Sequence, residues 1–442
     1  MVEAMTRSFL NALVIGALVA PLPLLAQQSG QSDEWSEWEE WEEPAAASNF
    51  SLNGFVELAG GLRLATDPAL DDNTTLADAR VQLRGDYKLS SSVVTFRGDL
   101  YYDGVVDNVE ADLRELHWQS NLGFMGDWGN HLDLKIGQQV LTWGTGDYLF
   151  LNDLFAKDYQ SFFAGRDDEY LKAPSLSAKL SAFTQWGNLD LVLTPRFTPD
   201  NAITGEYFSF FSPQAGQNIA PGFVVADENR PTSPEWALRW YKTAGSTELA
   251  AYGYRGYQKT PVAADEQGRP RYSRLNVYGV SAVRPLGKGL ANAEYAYYDS
   301  SEDSNGNNPM VPNSQHRWLL GYEQEIVANL TGSAQWYLEQ IRHHSALLAH
   351  SPWPEYEQSQ RRQVVTVRLT YLMLRQTLTL SGFNFYSPGD EDGYLKFRVS
   401  YSPGDDWQLN AGFNLFYGQQ AHTFYAQFED ASNLYASFRY YY

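Results

Sequence analysis

Eighteen stretches of this chain alternate apolar with polar residues at period two, and the connections between them sort by parity. The stretches are 52–63, 78–88, 92–103, 112–120, 131–141, 173–185, 188–197, 234–243, 246–257, 272–284, 288–299, 315–326, 329–342, 361–372, 374–386, 392–402, 406–417 and 433–442. Connections after even-numbered stretches are mostly tight, as at Trp186-Gly187, Ala244-Gly245 and Val327-Ala328. Those after odd-numbered stretches are mostly long: 142–172, 198–233, 258–271, 300–314, 343–360 and 418–432. Alternation marks strands with two unlike faces. Tight turns on one side and long loops on the other are the pattern of a transmembrane antiparallel β-barrel. The expected fold class is therefore all-β, with about 18 strands, 16 being the next alternative, and with long extracellular loops.

A soluble sandwich would alternate in the same way with its apolar face inward, so other features must decide. After the N-terminal segment no run of 18 or more apolar residues occurs, and no membrane helix is expected. A closed sheet is the only other structure that satisfies every backbone group in lipid. Residues 1–26 carry Arg7, the apolar run Leu10 to Leu25 broken by Pro21 and Pro23, and the small Ala26, the pattern of a secretory signal peptide. The last stretch, Asn433 to Tyr442, alternates up to an aromatic end. Aromatic side chains are abundant (29 Tyr, 23 Phe, 13 Trp), as interfacial girdles require. With no cysteine, stability must come from closure of the sheet. A net charge of -21 argues against nucleic acid as a partner.

Residues 27–49 are acidic and rich in tryptophan, with seven carboxylates between Asp33 and Glu43 and Trp35, Trp38 and Trp41 at every third position. They read as a disordered periplasmic segment. A sharper reading makes the three tryptophans a docking element for a periplasmic partner. The barrel itself is assigned to 50–442.

Face assignment follows from the alternation. In 392–402, Leu395, Phe397 and Val399 oppose Lys396, Arg398 and Ser400; in 361–372, Val365, Val367 and Leu369 oppose Thr366, Arg368 and Thr370. The first face is expected to meet lipid and the second the lumen. Parity then assigns Arg80, Arg84, Arg97, Lys135, Lys179, Arg196, Arg239, Arg368, Lys396, Arg398 and Arg439 to the lumen wall.

The connection 142–172 is too apolar for a loop in water, with Tyr148, Leu149, Phe150, Leu151, Leu154, Phe155, Phe162 and Phe163 in need of cover. Folding inward against the barrel wall would supply it. The segment carries the expected constriction residues Trp143, Asp147, Asp153, Asp158, Arg166, Asp167, Asp168 and Glu169. Wall cations facing loop carboxylates across a gap would set up a transverse field. The alternatives are pairing of the wall cations with Glu57, Asp86, Asp99, Asp133 or Asp190, and a salt-bridge latch formed by Arg166 to Glu169. The connection 198–233, with Tyr207, Phe208, Phe210, Phe211 and Phe223, is a second candidate for folding inward.

In this segment the chain resembles porins, whose third extracellular loop enters the lumen and sets the constriction. The run Lys135 to Asp147 is also similar to a strand-to-loop motif of alginate-export and related porin-like barrels, with Gln138 where arginine is usual. Phe438, Tyr440 and Tyr442 resemble the terminal signal read by the outer-membrane assembly machinery, with Ser437 where glycine is usual. These resemblances imply an outer-membrane location, with lipid and that machinery as partners.

Catalytic signatures are lacking: there is no Gly-Xaa-Ser-Xaa-Gly elbow, phosphate loop or zinc-binding helix motif. His343, His344, His350 and Glu355 have the composition of a metal site without a defining spacing, so neither metal nor cofactor is expected. The expected function is a non-enzymatic, porin-like channel for small polar solutes. The alternatives are a conduit for a polysaccharide or hydrophobic substrate served by a periplasmic partner, and a plugged structural or docking barrel.

Overall fold

The computed structural model describes residues 49–442; the signal peptide and all but the last residue of the acidic segment lie outside the described residues. Eighteen strands form one antiparallel sheet: β1 (Phe50–Arg63), β2 (Thr74–Lys88), β3 (Ser92–Asp103), β4 (Asn108–Asn121), β5 (Leu132–Val140), β6 (Pro174–Thr184), β7 (Gly187–Thr194), β8 (Glu235–Ala244) and β9 (Thr247–Tyr257). The second half comprises β10 (Arg274–Leu286), β11 (Gly289–Ser300), β12 (Gln315–Val327), β13 (Leu330–Ile341), β14 (Arg361–Met373), β15 (Leu378–Ser387), β16 (Asp392–Tyr401), β17 (Trp407–Tyr417) and β18 (Asn433–Tyr441). Each strand pairs with its neighbours in sequence, and β18 pairs back onto β1, from Phe55 opposite Tyr441 to Arg63 opposite Asn433. The sheet is thus a closed barrel, and it has no free edge.

Register turns the alternation into two continuous surfaces. Leu395, Phe397 and Val399 of β16 lie opposite Leu415, Phe413 and Ala411 of β17, and Leu409 lies opposite Phe438 of β18. Large apolar side chains on this outer face are exposed all round the ring, among them Leu58, Leu100, Leu238, Leu320, Val367 and Leu409. The other face holds Glu57, Arg80, Asp99, Asp190, Glu294, Lys396 and Arg439, all buried. Charge inside and exposed hydrocarbon outside is the distribution of a barrel solvated by lipid, opposite to that of a soluble sandwich. The chain is an outer-membrane β-barrel with transmembrane strands.

Three departures from simple alternation have local causes. Between β3 and β4 the register shifts, so that Arg97 opposes Glu115 while Gly98 opposes Leu113 and Arg114 is the extra residue of a bulge. The bulge turns both Arg114 and Glu115 to the inner face, where Arg114 is buried. Strand β7 stops at Thr194 because Pro195 has no N–H for the ladder. Arg196, expected on the lumen wall, therefore lies beyond the strand and is exposed. Strand β15 starts at Leu378 instead of 374, because Leu374, Arg375 and Gln376 form a left-handed turn (φ 49, 59 and 71°).

If the outer face is solvated by lipid, Val367, at mid-strand and 45% exposed, discriminates sharply. Val367→Arg is expected to cost about 2 to 4 kcal/mol in denaturant titrations of folding into vesicles. A neutral outcome would mean that this face meets water.

Candidate functional site

The connection from β5 to β6 is built, not loose. Asp158 caps the helix α1 (Tyr159–Ala164), accepting from Ser161 N at 2.7 Å, and Gly165 closes it in the left-handed conformation (φ 91°). Asp167 caps the next turn, Asp168–Leu171, by accepting from Glu169 N. Thr142 donates to Asp153, which is ion-paired with Lys157 at 3.0 Å. Asp153 and Asp158, both expected to face the pore, are thus committed within their own segment or to Asn201 of the neighbouring connection. Trp143 packs edge-on against Phe155, with ring centroids 5.0 Å apart.

The remaining charges of the segment meet the inner faces of strands. Asp147 pairs with Arg368 of β14 at 3.0 Å, Asp168 with Lys396 of β16 at 2.5 Å, and Asp167 with Arg398 of β16 at 3.2 Å. Glu169 lies 3.3 Å from Arg439 of β18 and 3.6 Å from Arg97 of β3. Arg166 is buried and reaches Asp78 of β2 at 2.7 Å and Asp103 of β3 at 2.8 Å; Asp103 also accepts from Tyr207 of the 195–234 connection. These wall cations and loop carboxylates are in contact, so their fields largely cancel at short range. Burial alone would push the Asp168 carboxyl up, but Lys396 and Arg398, with hydrogen bonds from Lys396 and Tyr148, outweigh it and hold it at about 2.

The other wall cations pair with strand carboxylates: Arg80 with Asp78 and Asp99, Arg84 with Asp86, Lys179 with Asp190, and Arg239 with Glu248. Lys135 lies on the inner face of β5, opposite Lys179 of β6. Phe438 and Tyr440 are on the outer face, both packed on Trp407, and Tyr442 hydrogen-bonds the backbone of Gly54 in both directions.

Several residues that hold the segment were not singled out from sequence. Glu294 of β11 accepts from Thr145 N and Oγ1, Gly146 N and Asn152 Nδ2. Arg114 donates to the carbonyls of Glu169 and Lys172, both at 3.0 Å. Asp78 and Asp103 receive Arg166. Only Arg114 has a local signal: the apolar phase Val109, Ala111, Leu113 slips to Leu116 and Trp118 across an Arg-Glu pair.

Apolar contacts reinforce the polar ones. Phe163 packs on Tyr394, Phe416 and Phe428, and Tyr148 on Phe383, with centroids 4.9 to 5.5 Å apart. Leu151, Phe155, Val277 and Leu319 belong to the same buried cluster. The 195–234 connection joins the assembly at Asp200, whose carboxylate accepts from Lys157 N at 2.8 Å while its own N–H donates to the Lys259 carbonyl. Burial pushes the Asp200 carboxyl up to about 6, against the hydrogen bond from Lys157 and the charges of Lys157 and Lys259. The rings of His344 and His350 each lie 2.8 Å from a backbone carbonyl, those of Gln358 and Ala346.

No protein-family model matches the chain, and no curated protein does at a significant level. Solved structures do. A loop-deletion mutant of OmpT, an outer membrane protein of Vibrio cholerae, is 12% identical over 89% of this chain and 100% of that one, with a TM-score of 0.42. A mutant of the Rh. blastica porin is 10% identical over 89% and 100%, with a TM-score of 0.39. OmpF of Salmonella typhi, in complex with daunomycin, is 8% identical over 89% and 97%, with a TM-score of 0.41.

Proposed function

We propose that this barrel is a porin-like channel for small polar solutes and that residues 142–172 lie across its lumen and set what passes. One observation carries the reading. A single segment has polar partners on the inner faces of β2, β3, β4, β11, β13, β14, β16, β17 and β18. That a connection is held to strands so widely spread round a closed ring supports its acting as a constriction. Trp143, Asp147 and the run Arg166 to Glu169 are its working residues, as anchors to the wall. The charged inner face on both sides of it favours polar solutes over apolar ones.

A gated form of the same channel is the second reading, favoured by the buried Arg166 network and by the aromatic packing of Phe162 and Phe163. Both would have to part for a wide path to open. A role for Trp35, Trp38 and Trp41 in recruiting a periplasmic partner belongs to this reading, with the partner as the trigger.

Three outcomes are expected. Removing 147–170 raises single-channel conductance in planar bilayers severalfold, and the reversal potential under a salt gradient moves towards anions, because Arg368, Lys396, Arg398 and Arg439 lose their loop carboxylates. Unchanged conductance would refute the constriction, and a channel seen only after deletion would favour the gate. Arg166→Gln takes from Asp103 its cation and leaves Asp78 with Arg80 alone, and breaking such a buried pair costs about 3 to 5 kcal/mol. Protease cleavage within 142–172 should become fast in this variant while the barrel stays folded.

The third concerns pH. A carboxyl whose folded value is raised favours the protonated form when docked, so its stabilisation is complete below about 4 and is lost as pH rises through about 6. Hydrogen exchange of the amides around Lys157, corrected for intrinsic rate, should therefore show more protection at pH 5 than at pH 7.5. Asp200→Asn should flatten that difference.

A further inference from the structure

The outer face carries a groove that combines an apolar slot with two arginines. It has a volume of about 570 Å³ and lies over β8, β9 and β10, at the end of those strands that leads into the long connections. Its floor is a glycine: Gly253 sits between Leu238 and Tyr278 in register, and a Cβ placed on it would meet nothing within 4 Å. The missing side chain leaves a notch one side chain deep between Leu238 and Tyr278. Trp236 continues the apolar wall one pleat further towards the long connections.

Two arginines close the groove at that end. Arg255 follows Gly253 on the same face of β9, and Arg274 stands diagonally across from it at the start of β10. Both are exposed. Other arginines at this rim are matched with carboxylates: Arg269 with Glu228 and Asp265, Arg271 with Glu302, and Arg230 with Asp227. Among the described residues Arg255 and Arg274 have no carboxylate within ion-pair distance. Glu302 is spent on Arg271 at 2.8 Å and on the Arg274 backbone N–H at 2.6 Å, and Asp299 accepts from Asn276, which stands opposite Arg255, at 3.2 Å. The Arg274 guanidinium itself lies 5.7 Å from the centroid of the Tyr257 ring.

We propose that this groove is a specific site for a phosphorylated, acylated lipid of the outer leaflet, one acyl chain lying in the notch over Gly253 and a phosphate bridging Arg255 and Arg274. The chemistry matches at both ends. Hydrocarbon fills an apolar slot that lacks a side chain, and guanidinium forks are suited to phosphate oxygens at a membrane surface. The two charges are also the right sign for an anion on a chain whose net charge is -21. The proposal rests on the outer-membrane reading of the barrel but not on its interior being a channel.

The test is native mass spectrometry of the mature barrel in detergent, titrated in turn with a diphosphorylated lipid A, with a zwitterionic phosphatidylcholine and with inorganic phosphate. The wild type should retain one lipid A, at least tenfold more tightly than phosphatidylcholine, and inorganic phosphate should not displace it. Arg255→Gln with Arg274→Gln should lose the preference, and Gly253→Leu, whose Cβ meets nothing within 4 Å, should weaken lipid A binding with both arginines in place. Heat-modifiable migration and insertion into vesicles are read on the same preparations. A double variant that still prefers lipid A, or a wild type that binds both lipids alike, overturns the site. A barrel that binds lipid A but gives no conductance leaves the site standing and removes only the channel reading.

Discussion

Every peptide group of this barrel that lies in lipid must find its partner in another strand, and the pairing of β1 with β18 is what makes that possible for all of them. Once the sheet is closed, the faces cannot be exchanged. Side chains alternate strictly, so an inner Lys396 or Arg398 fixes Leu395, Phe397 and Val399 outside, and a slip of one residue would put charge into hydrocarbon. The register shifts between β12 and β13 at Glu325 to Val327 and between β3 and β4 at Arg114, and the second of these bulges brings an extra cation inside, next to the carbonyls it binds.

The interior is the second consequence. A ring of 18 strands encloses more space than its own inner side chains fill, and the 142–172 connection sets charges and aromatic rings against inner-face residues of the wall. Four of its carboxylates, Asp147, Asp167, Asp168 and Glu169, meet wall cations on β14, β16, β18 and β3, and its one buried arginine meets carboxylates on β2 and β3. Arg166 and the adjoining Asp167, Asp168 and Glu169 thus each meet an opposite charge along one arc of the ring.

Strands were legible in the sequence because their signal is local. Alternation within ten residues gives number and phase, and the observed bounds differ by a few residues where a bulge, Pro195 or the left-handed turn at 374–376 intervenes. The helix α1 also had its local marks, Asp158 and Gly165, hidden in a segment whose apolar content drew attention elsewhere. What could not be read was partnership. That Arg166 meets Asp78 and Asp103, or that Glu294 gathers the amides of Thr145 and Gly146, depends on residues 63 to 149 positions apart in the chain. Parity said that Arg80 and Arg368 point inward but not that one is spent on its own wall and the other on the loop.

The ring is closed by residues from opposite ends of the barrel sequence: Glu57 and Arg439, which face each other at 2.9 Å, are separated by 382 positions. Until the eighteenth strand arrives, the first has a partner on one side only, and its other edge is a row of unmet donors and acceptors. Closing so long a loop gains nothing until it is complete. Before that pairing forms, a sheet of these strands is an open ribbon, apolar on one face and sticky along one edge. Strand β18 therefore has the character of a clasp: its pairing with β1 removes the last exposed edge.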